Sequence, residues 1–240
     1  MIYLSDMRKI LQQAFFDPKT KIYFWVNDIL AFVTIVSILA IVLETVSSLS
    51  GYKSWFIFIE WFAVVIFSLE YIGRIIVTKP KTKYVFSFFG VIDLVAILPT
   101  ILGLGNLTFL KSARALRIIR MLRMLRLAKI TRSAEGKDIE ESFGVYGFNV
   151  LIYGSTLLLS LLVMGTLIYL VEPTTQTFSN IPAGMWWSFK VFMGSMPVVS
   201  PETELGSVVY VATRFVGLLL LGLLVGTVGN IFRKLLLKGE

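Results

Sequence analysis

The sequence predicts an all-α membrane protein with six transmembrane helices. A four-helix half is followed by a two-helix half carrying a short re-entrant helix. Three observations lead there. First, 56% of the 240 residues are hydrophobic, 14% aromatic and only 16% charged, with a mean hydropathy of +0.81, whereas charged residues make up about a quarter of a soluble domain. Second, long apolar windows recur at 29–49, 54–77, 84–102, 108–130, 147–171 and 207–237, each close to the roughly 20 residues a bilayer-spanning helix needs. Third, the first four windows carry charges within them while the last two are nearly free of them, which divides the chain into two functional parts rather than the repeats of many secondary transporters.

The elements follow in order. Residues 1–28 form a polar-apolar segment containing Arg8, Lys9, Lys19 and Lys21. It lacks the short apolar core and small-residue cleavage site of a signal peptide. A four-helix domain covers 29–130, a polar linker 131–146, a two-helix domain 147–237 and a tail 238–240. Inside the two-helix domain a run at about 182–193 is too short to cross and reads as a re-entrant helix, followed by a turn-rich segment at about 194–201. Orientation follows the Lys and Arg residues. They cluster before the first window, after the second (Arg74, Lys79, Lys81, Lys83), after the fourth (Arg132, Lys137) and after the sixth (Arg233, Lys234, Lys238), so these sides and both termini are expected to be cytoplasmic. The plasma membrane is the expected location, with lipid as a partner.

The chain has no cysteine and no histidine. Disulfides, Cys or His metal sites and Ser-His or Cys-His catalysis are therefore excluded, and no metal, cofactor or enzymatic activity is expected. Eight residues follow Phe232, and no catalytic domain is expected there. The net charge of +8 belongs to membrane topology rather than to nucleic acid, which is not an expected partner.

The fourth window carries the strongest signal. Lys111, Arg114, Arg117, Arg120, Arg123, Arg126, Lys129 and Arg132 place a cation at every third position with mostly apolar residues between them. A cation inside a bilayer costs from about 2.5 to more than 10 kcal/mol, depending on the reference state, so this run needs partners and a purpose. At about 100° per residue the cations trace a slow spiral on an α-helix and align on a 3₁₀ helix. A screw motion then lets each cation replace its predecessor at a fixed counter-charge. A surface-lying basic helix is the plain alternative, but its cations would cluster on one wide face instead of holding period three. Counter-charges are present at Glu44 in the first window, Glu60 and Glu70 in the second and Asp93 in the third, and isolated acids in membrane helices are functional candidates. Phe67 lies one turn before Glu70, so a ring and a carboxylate share a face and can form a hydrophobic plug above an anionic site.

Over nearly its whole length the chain resembles the voltage-gated potassium channels. The resemblance is carried by Leu43-Glu44-Thr45, Phe67-Ser68-Leu69-Glu70-Tyr71-Ile72-Gly73-Arg74, Ile92-Asp93-Leu94-Val95-Ala96-Ile97-Leu98-Pro99 and the arginine series. Ile168-Tyr169-Leu170-Val171-Glu172, Ile181-Pro182, Trp186-Trp187 and Gly226-Thr227-Val228-Gly229-Asn230-Ile231-Phe232 extend it, the last run being most similar to archaeal members. The resemblance implies a homotetramer with four peripheral voltage sensors (29–130) around a central pore (147–237). In it Lys111 to Lys129 are gating charges, Phe67, Glu70 and Asp93 the charge-transfer centre, Glu60 and Glu44 further counter-charges, 182–193 the pore helix, 194–201 the filter region and Gly217 a gating hinge. Close helix packing is the alternative role for Gly217, and Gly222 and Gly226 could equally flex.

The pore segment departs from the family. In place of Thr-Val-Gly-Tyr-Gly, whose carbonyls replace the hydration shell of potassium, stands Met193-Gly194-Ser195-Met196-Pro197-Val198-Val199-Ser200-Pro201. Pro197 fixes one φ, and Gly194 alone cannot supply what two filter glycines allow. Glu202 and Glu204 would form acidic rings at the outer mouth of a tetramer. Lys190 near the end of the pore helix and Arg214 in the outer half of the sixth span are unexpected cations. Structural pairing is favoured for both, Lys190 with Glu202, Glu204 or the negative end of the pore helix and Arg214 with Glu172 or an outer acid, ahead of exposure to the ion path. The expected function is a voltage-gated channel passing inorganic ions, monovalent cations by preference, with weak or altered potassium selectivity. The alternative is a non-conducting or anion-permeable voltage-sensing membrane protein whose pore half serves assembly or regulation.

Overall fold

The computed structural model describes residues 2–17, 19–103, 123, 138–194 and 196–237, and among them all regular structure is helical. The helices are α1 (Ile2–Phe16), α2 (Lys21–Glu44), α3 (Lys53–Val77), α4 (Lys81–Val85), α5 (Phe88–Gly103), α6 (Asp138–Val171), α7 (Ile181–Met193) and α8 (Glu204–Leu237), with 3₁₀ turns at Ser47–Tyr52 and Gln176–Phe178. Four stretches are long and apolar enough to cross a membrane, Lys21–Glu44, Ser47–Val77, Ile152–Val171 and Glu204–Gly229, and Phe88–Leu98 is a shorter apolar one. The window at 108–130 lies outside the described residues except for Arg123.

Two compact units divide the chain, one of Met1–Glu44 with Ser48–Ala134 and one of Thr45–Ser47 with Glu135–Glu240. In the first, α1, α2 and α3 pack against one another, α3 also packs on α5, and α4 bridges α3 and α5. Glu60, Ala63, Val64, Phe67, Glu70, Gly73 and Arg74 are the buried stripe of α3, the three-and-four spacing of one helix face. Leu30, Val33, Ala63, Val64, Phe67 and Ile97 make the core, with Phe15, Val26, Ile66 and Tyr71 packed around it. The chain leaves α3 at Thr78, whose extended backbone stops the helix while its N–H and hydroxyl both return to the Arg74 carbonyl. Pro80 follows, with no N–H to continue a helix. Gly90 lets the start of α5 close on α4, since a Cβ there would lie 1.9 Å from the Tyr84 carbonyl oxygen.

Sequence and structure differ at element ends. The first helix begins at Lys21 rather than 29 and stops at Glu44, because Ser47-Ser48-Leu49-Ser50-Gly51 is rich in poor helix formers and winds into the 3₁₀ turn. The third begins at Phe88 rather than 84, since Tyr84 and Val85 belong to α4. Helix α6 starts at Asp138, inside the segment expected as linker, and α8 starts at Glu204 rather than 207.

In the second unit α6, α7 and α8 contact one another pairwise. The side chain of Asn180 caps α7 by accepting from the Ala183 N–H at 2.9 Å, Pro182 sits in its first turn, and Gly194 ends it at φ 70° with its N–H on the Lys190 carbonyl. That left-handed cap suits glycine. A close crossing of α6 and α7 depends on Gly165 and Gly184, since Cβ atoms there would lie 2.5 Å from Met185 N and 2.2 Å from the Gly165 carbonyl oxygen. Ile168, Phe178, Trp187 and Val191 form the core, and Trp187 donates its indole N–H to the Val199 carbonyl at 2.9 Å.

Candidate functional site

The first unit holds two polar clusters on either side of a fully buried ring. Phe67, at 0% exposure, lies seven residues beyond Glu60 and three before Glu70 on the stripe of α3. At about 1.5 Å of rise per residue, the two carboxylates sit about 10 Å to one side of it and about 4.5 Å to the other.

The cluster on the Glu60 side is built around Arg123. Its guanidinium is fully buried and donates through Nη2 to Glu60 Oε1 at 3.3 Å and to Thr100 Oγ1 at 2.6 Å, and through Nε to the Ala96 carbonyl at 2.9 Å. The Thr100 hydroxyl in turn donates a hydrogen bond to Glu60 Oε1 at 2.7 Å. Asp93, Ala96 and Thr100 recur at three- and four-residue steps along α5, so one face of that helix presents a carboxylate, a carbonyl and a hydroxyl in series. A buried cation and carboxylate hold together only where further hydrogen bonds meet their remaining valences, and Thr100 and Ala96 supply these.

On the other side of Phe67, Glu70 accepts from Arg74 Nε at 2.8 Å, and Asp93 accepts from the Tyr84 hydroxyl. The Tyr84 ring also lies tilted against that of Tyr71, with centroids 5.9 Å apart. The three sequence candidates Phe67, Glu70 and Asp93 are all buried. Glu44 stands half-buried as the last residue of α2. Lys111, Arg114, Arg117, Arg120, Arg126 and Lys129 lie outside the described residues. Arg74, Tyr84 and Thr100, which bond to the buried acids, are partners that the sequence reading does not single out. The i, i+4 spacing of Glu70 and Arg74 was the available signal for one of them.

The second unit gathers its own polar network where α6 ends. Glu172 is buried at 0% exposure, and its Oε1 accepts from both the N–H and the hydroxyl of Thr203 at 2.7 Å. Its Oε2 accepts from Thr175 at 3.1 Å. Burial pushes its carboxyl up, but the hydrogen bonds from Thr203, Glu202 and Thr175 prevail and hold it below the ordinary carboxylate value. Gly206 keeps the pocket open, since a Cβ there would lie 2.1 Å from Glu172 Oε1.

Two expected salt bridges do not form within the chain. Arg214 pairs with neither Glu172 nor an outer acid. It donates to the Tyr210 hydroxyl through Nε at 3.2 Å and Nη2 at 2.9 Å and lies over the Tyr210 ring at 5.4 Å. The i, i+4 spacing brings the two together on α8, while the Thr203 and Thr175 bonds already fill Glu172. Lys190 makes no ion pair with Glu202 or Glu204 among the described residues. It lies in the last turn of α7, where the helix dipole favours a cation, and both acids are exposed. In the segment that follows, Met196 and Pro197 are exposed, Val198 packs on the core and Ser195 is outside the described residues. Gly217 is buried against α7, and a Cβ on it would approach Phe192 Cα to 2.9 Å.

Apolar helices long enough to span a bilayer and a buried arginine paired with a buried glutamate define an integral membrane protein that carries charge in its interior. Residues 23–238 match the family model for the ion transport protein family, and the chain belongs to that family. It is 28% identical to the potassium voltage-gated channel protein Shal of Drosophila melanogaster, over 97% of this chain and 44% of that protein. The chain thus spans less than half the length of this relative.

Proposed function

We propose that the protein is a voltage-gated cation channel in which the first unit senses voltage and the second forms one quarter of a homotetrameric pore. The fourth span then completes six crossings with α2, α3, α5, α6 and α8, and both termini face the cytoplasm of a cell bounded by the plasma membrane. The observation that carries the reading is Arg123, a member of a series of cations at every third position, buried on one side of Phe67 against Glu60 with a second carboxylate pair, Glu70 and Asp93, on the other side. Under this reading the series Lys111, Arg114, Arg117, Arg120, Arg123, Arg126 and Lys129 supplies the gating charges. Phe67 separates water on the two sides, Glu60 and Thr100 hold a cation in the outward position, and Glu70 with Asp93 holds one in the inward position. Each elementary charge carried across the membrane potential is worth about 2.3 kcal/mol per 100 mV, so a few such transfers per subunit suffice to drive a pore.

In the second unit α7 serves as the pore helix and Gly194 to Pro201 as the filter region. Glu202 and Glu204, exposed at the start of α8, would concentrate cations at the outer mouth. Potassium is the ion named for the Shal relative, and the absence of Thr-Val-Gly-Tyr-Gly supports weaker potassium selectivity here. A second reading, a non-conducting or anion-permeable protein, is favoured by one observation. Lys190 in the last turn of α7 and Arg214, whose Nη1 lies 3.9 Å from the Cβ position of Gly194, put two cations near the end of that helix without a carboxylate partner among the described residues. Recordings of the purified protein in bilayers, with potassium, sodium and chloride gradients imposed in turn while voltage is stepped, separate the two. A voltage-dependent current reversing near the potassium or sodium equilibrium potential supports the first reading. Reversal near that of chloride, or silence with charge still moving, supports the second.

A further inference from the structure

Arg74, which holds Glu70, is itself held from the other side by the amino-terminal helix. Its Nη1 donates to the Phe15 carbonyl at 3.4 Å, and its guanidinium carbon lies 5.0 Å from the Phe15 ring centre and 5.7 Å from that of Phe16. The guanidinium is thus clasped between a carboxylate of α3 and the last turn of α1, with both members of the Arg74–Glu70 pair less than a tenth exposed. Arg8, one side of α1 further back, donates to the Val77 carbonyl at 3.3 Å and ties the helix to the end of α3. Gly73 completes the contact, because a Cβ there would lie 2.6 Å from Phe15 Cε2. A guanidinium packed on aromatic faces and hydrogen-bonded to a carbonyl keeps its full charge while losing freedom, so α1 fixes how strongly Arg74 neutralises Glu70.

We propose that Phe15, acting through Arg74, is a positioning residue for gating, so that the docked amino-terminal helix sets the voltage at which the sensor moves. This rests on the voltage-sensor reading above. With Arg74 clasped, Glu70 attracts a descending gating cation less strongly. With Arg74 released, the inward site deepens relative to the outward one occupied by Arg123, and stronger depolarisation is needed to return the cation outward.

The test is the charge-voltage curve of the full chain, measured for the wild type, Phe15→Leu, Gly73→Ala, Arg74→Gln and the double variant Phe15→Leu with Arg74→Gln. Phe15→Leu keeps apolar bulk at the contact and removes the ring face, while Gly73→Ala pushes the ring away from the opposite side. Both are expected to shift the midpoint to more positive voltages with the total charge unchanged, and Phe15→Leu is expected to add nothing in the Arg74→Gln background. An unmoved midpoint, a negative shift, or an equal shift with Arg74 already neutralised would overturn the proposal while leaving the sensor intact. A wild type that moves no charge at all would overturn the sensor reading and this one with it.

Discussion

Arg123 Nη2 lies 3.3 Å from Glu60 Oε1, with both side chains buried and the Thr100 hydroxyl bonded to each of them. Taking one charge from such a pair leaves the other in a low-dielectric site, at a cost of about 3–5 kcal/mol. Glu60→Gln should therefore weaken the outward position of Arg123 and move the midpoint of the charge-voltage curve to more positive voltages. A midpoint within error of the wild type would show that the pair plays no part in gating.

Phe67 has no solvent-exposed surface and packs with Leu30, Val33, Val64 and Ile97. Truncating a buried phenylalanine costs about 3–5 kcal/mol, and under the sensor reading it also opens the barrier between the two carboxylate clusters. Phe67→Ala is expected to lower the unfolding temperature in detergent, whereas Phe67→Trp keeps a ring in place and should change charge movement more than it changes stability. Equal losses of stability in the two variants would reduce Phe67 to a packing residue.

Glu172 gives a pH prediction with a definite sign. Its carboxyl is held below the ordinary value of 4.5. A depressed folded value means that the ionised group contributes stability above its unfolded pKa and loses it as pH falls through the folded one. The stability difference between wild type and Glu172→Gln should therefore stay constant from neutral pH down to the ordinary carboxylate range and shrink only below it. Gly206→Ala should mimic the loss at neutral pH by driving a methyl into Oε1. A difference that already shrinks above the ordinary range would contradict the hydrogen-bond account.

The glycines of α8 separate packing from flexing. Gly217 faces Phe192 Cα closely, whereas Gly222 and Gly226 have nothing within 4 Å of a Cβ position among the described residues. Gly217→Ala is expected to lower thermal stability by about 1–3 kcal/mol, the range for overpacking a close contact, and Gly222→Ala to leave the isolated subunit fold unchanged. If Gly217→Ala alters only gating and leaves stability intact, its role is that of a hinge.

Much of this was legible in the sequence because it rests on periodicity and solvation. The apolar windows at 54–77 and 182–193 coincide with α3 and α7 to within a residue or so. The buried places of Glu60, Phe67, Glu70 and Asp93 followed from the cost of charge in lipid and from spacing on one helix. Helix ends were less legible, since a window-averaged hydropathy runs on past Glu44 into the Ser-rich 3₁₀ turn and takes in the end of the short α4. Partners contributed from a distance were not legible at all. Nothing local to Tyr84 marks it as a donor to Asp93, and nothing in Phe15 predicts that α1 folds back onto Arg74. The misplaced salt bridges of Lys190 and Arg214 have a related cause. Opposite charge alone does not decide the pairing: Tyr210, one turn away, takes the Arg214 guanidinium and the threonines fill Glu172, while Lys190 lies in the last turn of α7 and both outer acids are exposed.

The most direct measurement is the charge moved per channel when the voltage is stepped across the purified protein in a membrane, compared between the wild type and variants with Arg117, Arg120 or Arg123 replaced by Gln. The sensor account predicts a saturating charge movement in the wild type that becomes smaller and less steep with each neutralisation. A charge-voltage curve whose steepness and midpoint both survive all three replacements would contradict it.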